Sequence, residues 1–236
     1  MAGSEQKKCI DNDLQGKMDI QEPSESHFAM VLLVDTSLSM SGDPINSLNK
    51  AINYFKEVMI SYKIFLERID VCIIEFNDTA RVVQEFTPIS RLEPVKLTAV
   101  GPTSMGAGID LAIDKVKERV KMYKHYGTPY YRPWIFMITD GFHMDDITDA
   151  RERMITETQK MDVEFWTLCV PGYDRTTITS LPQRYKELKG GGEDEYRHVF
   201  YWLSYTILDD IFGTIDYEPI ELPALPLDIT EDEDWW

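Results

Sequence analysis

Phe28-Ala-Met-Val-Leu-Leu-Val-Asp35 is an unbroken apolar run closed by a carboxylate. A strand with one wet face would alternate apolar and polar residues. This one does not, so it asks for cover on both faces, as in the middle of a parallel sheet between helix layers. Outward from it, Pro44 suits the first turn of a helix, and Ile45, Leu48, Ile52, Phe55 and Met59 recur at three and four residues as one apolar face. Ile69–Phe76 reads as a second buried strand, turned at Asn77-Asp78-Thr79 into a short hairpin partner over Arg81–Phe86. After a loop from Pro88 to Gly101, Thr103-Ser104 starts a helix with Ile109, Ile113, Val116 and Val120 inward. Pro133–Thr139 is a strand closing on Asp140; a helix over Ile147–Met161 and a strand over Val163–Val170 follow. A short helix near Thr176–Leu181, a weak strand near Arg184–Leu188 and a last helix from Asp194 to Phe212 complete the body. Strands alternating with helices predict an α/β, doubly wound, mostly parallel sheet with one antiparallel edge strand and helices on both faces.

The chain has 236 residues and a net charge of −17, room for one such domain. The charge is uneven. Residues 1–27 carry six acids and three bases, residues 214–236 carry eight acids and no base, and the body between keeps −6. The expected division is a flexible polar leader over 1–27, a folded domain over 28–213, and an acidic, proline-containing tail over 214–236. A surface of this sign repels phosphates, which argues against nucleic acid and favours a basic protein partner or a cation. Cys9, Cys72 and Cys169 show no disulfide or zinc spacing. With no apolar leader segment and no run of membrane-spanning length, the expectation is a protein of the reducing cytoplasm with no membrane partner.

Three loops bring oxygen donors to strand ends: Asp35-Thr36-Ser37-Leu38-Ser39, Thr103 after Gly101-Pro102, and Asp140 before Gly141. In a doubly wound sheet the loops at the carboxyl ends converge where strand order reverses. Two carboxylates and three hydroxyls make a hard-oxygen set suited to Mg²⁺, or to Mn²⁺ or Ca²⁺, rather than zinc. Asp35, Ser37 and Ser39 lie two apart on one tight loop, so their side chains can share a cavity. So few charged donors would leave one coordination position open to an outside carboxylate. Taken singly, each segment could equally be a turn or a helix cap.

Together, the Asp-x-Ser-x-Ser motif after an apolar strand, Thr103, and the Thr139-Asp140-Gly141 strand end resemble the metal-ion-dependent adhesion site of von Willebrand factor A domains. The resemblance spans about Phe28 to Phe212. The stretches around Asp35 and from Arg132 to Gly141 are similar to bacterial TerY-type, tellurium-resistance-associated members. It implies that Ser37, Ser39 and Thr103 ligate a cation directly, that Asp35 and Asp140 act largely through water, and that Thr103 and Asp140 exchange roles between open and closed states. Leu38 and Pro102 stand where the family usually has glycine, and Phe142-His143-Met144-Asp145 departs from the subgroup's continuation. The expected partner rim is Leu38, Met40, Pro102, Ser104, Phe142 and His143.

The resemblance implies a non-enzymatic, protein-binding module in a bacterial or phage stress-response assembly, with a partner Asp or Glu completing the cation's shell and kinase or phosphatase proteins among candidate partners. A Mg²⁺-dependent phosphoryl-transfer enzyme is the alternative, but Ser37 stands where haloacid-dehalogenase-like phosphatases carry a second aspartate, and a phosphate-cradling loop is missing. A structural subunit with a purely stabilising metal is the third reading. His27, His125 and His198 have no metal-ligand spacing and read as structural. The end Asp232-Glu-Asp234-Trp235-Trp236 reads either as a solvated tail or as a docking peptide whose two aromatic anchors and acids suit a basic groove; in a bolder form, one of its acids caps the metal of another copy.

Overall fold

The computed structural model describes residues 24–63 and 66–211. The expected leader up to residue 23, and the whole expected tail with Asp232, Asp234, Trp235 and Trp236, lie outside the described residues. The six strands are β1 (Phe28–Asp35), β2 (Ile69–Phe76), β3 (Ala80–Pro88), β4 (Trp134–Thr139), β5 (Glu164–Cys169) and β6 (Arg184–Glu187). They form one sheet in the order β3-β2-β1-β4-β5-β6, with only the β2–β3 pair antiparallel. The expected fold class is therefore the observed one. Every residue of β1, β2 and β4 is buried, whereas β3, at the edge, alternates until its last residues.

Two helix layers supply the cover. α1 (Asp43–Ser61) and α5 (Glu193–Thr206) pack on one face, where the Phe55 and Phe200 rings meet at 5.8 Å. α2 (Met105–Tyr126) and α3 (Thr148–Gln159) cover the other. α4 (Arg175–Ser180) is one short turn near the carboxyl ends of the strands. The stripe Ile45, Leu48, Ile52, Phe55 and Met59 is buried as its spacing predicts. Gly108 lets α2 start close against the sheet, since a Cβ there would lie 2.9 Å from the Phe76 ring.

The last helix is shorter than its pattern suggests. α5 ends at Thr206, and Ile207–Ile211 form a π-type turn. Near that change the Ser204 and Thr206 hydroxyls donate back to the carbonyls of Phe200 and Trp202 (2.8 and 2.9 Å), contacts that compete with regular helix bonding. His27, assigned to the leader by composition, is fully buried and belongs to the domain.

At the amino ends of the strands His27 joins a buried polar cluster centred on Asp70. Asp70 Oδ2 receives Arg119 Nη2 (2.7 Å), His27 Nδ1 (3.1 Å) and the Tyr123 hydroxyl. Burial alone would raise the Asp70 pKa, but the His27 hydrogen bond and the Arg119 charge outweigh it and hold the carboxyl below the usual range. Cys72 and Cys169 are buried free thiols, each pushed up to about 12 by burial, consistent with small hydrophobes in the core.

Candidate metal centre

Sheet order reverses between β1 and β4, and these neighbours end together, with Val34 in register with Ile138. Asp35 is thus set beside Thr139 and Asp140 at the topological switch point. Asp35 is fully buried. Its Oδ1 accepts the Ser37 N–H (2.9 Å) and its Oδ2 the Thr139 hydroxyl (2.7 Å). Thr139 in turn accepts the Gly141 N–H at 2.9 Å. Thr139 was legible only as part of the strand-end motif, yet it is the group that fixes Asp35.

The three loops are stitched to one another. Val100 N–H donates to the Thr36 carbonyl (2.8 Å) and Leu38 N–H to the Gly101 carbonyl (2.9 Å), bringing the segment before Thr103 onto the Asp35 loop. The Thr103 carbonyl accepts the Met144 N–H (2.9 Å), joining that segment to the loop after β4. Asp140 Oδ1 accepts the Phe142 N–H (3.1 Å), and the Asp140 carbonyl accepts the Asp174 N–H (2.7 Å). Gly141, at φ +77°, is required here: a Cβ would stand 3.0 Å from Ile178 and 3.2 Å from the Asp174 carbonyl. Ser37, Thr103 and Asp140 are buried and Ser39 is exposed, so the donor set runs from the sheet end to solvent.

Two of the hydroxyls stand at a spacing that a small divalent cation would accept. The Ser37 and Ser39 hydroxyls are hydrogen-bonded to each other with their Oγ atoms 3.0 Å apart. Adjacent ligands on an octahedral Mg²⁺ with bonds of about 2.1 Å are separated by about 3.0 Å. Burial pushes the Asp35 carboxyl up to about 6; the hydrogen bonds from Ser37 and Thr139 pull against it, and the Asp140 charge adds to the rise. Among the described residues no Lys, Arg or His pairs with either carboxylate, and no three His, Cys, Asp or Glu side chains gather to hold a metal. Any cation at this place would depend on the hydroxyls.

The rim differs in part from the expected one. Leu38 and Phe142 are 66% and 53% exposed, Pro102 is exposed and His143 half-buried, with its Nδ1 2.9 Å from the Asp145 carbonyl. Met40 is a correction: it is fully buried against the α1/α5 core. The 3₁₀ turn Leu38–Met40 rotates it inward while leaving Leu38 outside. Ser104 is turned away as well, its N–H to the Asn77 carbonyl (2.6 Å) and its hydroxyl to that of Asp78 (3.1 Å), so it anchors the loop to the β2–β3 turn. Val100 and Met144, 50% and 81% exposed, also face out from the stitched loops. Nothing in a loop's composition signals which of its apolar residues will face out.

The family model for the von Willebrand factor type A domain matches residues 29–213. The chain belongs to that family. Among solved structures, the vWA protein of Catenulispora acidiphila is similar at 14% identity and a TM-score of 0.56, covering 76% of this chain and 42% of its own. The PilB minor pilin of Streptococcus sanguinis is similar at 13% identity and a TM-score of 0.56, covering 81% of this chain and 63% of its own. The pilus adhesin SpaC of Lactobacillus rhamnosus GG, in its open conformation, is similar at 10% identity and a TM-score of 0.64, covering 78% of this chain and 30% of its own. This chain thus spans less than two thirds of each, and identities this low establish a shared fold. Comparison with curated proteins finds no match. No helix among the described residues is long and apolar enough to cross a membrane.

Proposed function

We propose that this vWA domain is a divalent-cation-dependent protein-binding module with a metal-ion-dependent adhesion site. The observation that carries the proposal is a fully buried Asp35 carboxylate with no protein cation, beside two serine hydroxyls at cis-ligand spacing. Ser37, Ser39 and Thr103 would hold Mg²⁺, or Mn²⁺ or Ca²⁺, directly, with Asp35 and Asp140 behind them through water. Asp35 suits that indirect role because both its oxygens already accept hydrogen bonds from the chain. Bound there, the cation supplies an electron-poor position for an Asp or Glu oxygen of a partner. Leu38, Val100, Phe142 and Met144 would ring that contact and exclude water from it.

The reading is of binding, not catalysis. A nucleophilic carboxylate must reach its substrate, whereas Asp35 is fully buried. Turnover of an aryl phosphate with Mg²⁺, lost in Asp35→Asn, would reverse this conclusion. A metal that only staples the fold would leave the exposed apolar rim without a role. The TerY-type resemblance further supports a bacterial or phage cytoplasmic stress-response assembly, with kinase or phosphatase proteins among the partners to screen.

The test is selection of peptides from a random library on the immobilised full chain, in Mg²⁺ and in EDTA. Retained peptides should carry an Asp or Glu beside apolar residues, leave in EDTA, and fail to bind Ser37→Ala/Ser39→Ala. Binding that ignores EDTA, or that needs no acid, would overturn the proposal.

A further inference from the structure

A second surface lies at the far end of the sheet. Between the last turns of α2, the start of β4 and the α3–β5 connection there is a cavity of about 420 Å³, within the range of ligand pockets. Val116, Val120 and Val163 give it apolar walls, and Met161, 66% exposed, stands at its lip. Lys117, Lys121, Lys124 and Arg132 also line it, against Glu157 and Asp162. Glu157 is already engaged by Lys117 (2.9 Å) and Lys160 (3.8 Å), and Arg132 by Glu164. Lys121 and Lys124 form no ion pair with any described residue. Lysines near a helix C-terminus are favoured by its dipole without any ligand. In a chain of net charge −17, though, two lysines with no ion partner among the described residues, beside a cavity with valine walls, make a place for an acidic, aromatic segment.

The chain holds such a segment. We propose that Glu231-Asp-Glu-Asp-Trp-Trp236 docks in this cavity of its own domain, the tryptophan rings against Val120, Val163 and Met161 and the acids toward Lys121 and Lys124. Indole rings carry large contact area at small entropy cost and stack well beneath cations. Topology supports the pairing. α5 begins near the carboxyl ends of the strands, where Glu193 meets Lys50 of α1, and it ends at the amino ends, where Tyr205 approaches Tyr62. The chain therefore leaves α5 at the same end of the sheet as the cavity, on the opposite face. Crossing two layers is about 20 Å, and the residues from 212 to 230 can span about 60 Å when extended.

The test uses the full chain labelled with 5-fluorotryptophan, whose five tryptophans give five ¹⁹F signals, those of Trp235 and Trp236 assigned by Trp→Phe variants. Docking predicts both tail signals displaced from the random-coil position, independently of protein concentration. They should return to it in Lys121→Glu/Lys124→Glu and in high salt, while Trp134, Trp166 and Trp202 keep their positions and report an intact fold. Tail signals at the random-coil position in the unmodified chain, tail signals displaced equally in the charge-reversed variant, or displacement that grows with concentration would overturn it.

Discussion

Asp35 and Asp70 are both fully buried carboxylates on adjacent strands, about 20 Å apart along the sheet, and their surroundings are opposite. Asp70, at the amino ends, has its own cation: Arg119 lies 2.7 Å from Oδ2, which His27 and Tyr123 also engage, while Oδ1 is buried without a hydrogen-bond partner. Asp35, at the carboxyl ends, has only hydroxyl and amide donors, and a second carboxylate, Asp140, close enough to raise its pKa. A buried charge that the chain itself neutralises is part of the architecture. One that it leaves unneutralised is where, on the function proposed above, a cation from solution would supply the missing charge.

The largest expected effect breaks the first half of that contrast. Asp70→Ala leaves Arg119 buried without its anion and should cost about 3–5 kcal/mol in urea unfolding. Asp35→Asn in chelator removes a buried charge rather than a partner, so it should cost little or stabilise at neutral pH.

The second prediction is a pH dependence in EDTA. The folded-state pKa of Asp35, about 6, lies above its unfolded value of 3.8. Its contribution is full below the unfolded value and lost as pH rises through 6, a change of about 3 kcal/mol. The stability difference between wild type and Asp35→Asn, followed by denaturation from pH 4 to pH 8, should show that loss, and saturating Mg²⁺ should suppress it. A flat difference would mean that the chain neutralises Asp35 by itself.

Smaller effects separate the rim from the centre. Leu38→Ser and Phe142→Ser should each weaken a selected acidic peptide about tenfold, with cation affinity unchanged in a direct titration. Smallest of all, Lys50→Ala removes an exposed pair with Glu193 and should shift stability by less than about 0.5 kcal/mol, because exposure rather than pairing decides what a charge is worth.

How far the sequence carries differs between these two regions. The strands were legible because burial on both faces leaves no polar alternation, and the helices because an apolar stripe recurs with the helical period. Asp35, Ser37, Ser39, Thr103 and Asp140 were legible as strand-end donors, and the loop hydrogen bonds bring their backbone segments together. The Asp70 cluster was not legible. Its members are drawn from β1, β2 and α2, and Asp70 and Arg119 carry no local signature of their pairing. Met40 was misread for a local reason: a 3₁₀ turn aims side chains differently from the extended loop that its composition suggests.

The central claim is most directly tested by titrating Mn²⁺ into the metal-stripped full chain and following free Mn²⁺ by electron paramagnetic resonance, beside Ser37→Ala/Ser39→Ala and Asp70→Asn. One site is expected in the wild type, none in the serine variant, and one retained in Asp70→Asn under conditions where it is folded. Mn²⁺ binding that survives the loss of both serines, or a folded wild type that binds none, would contradict it.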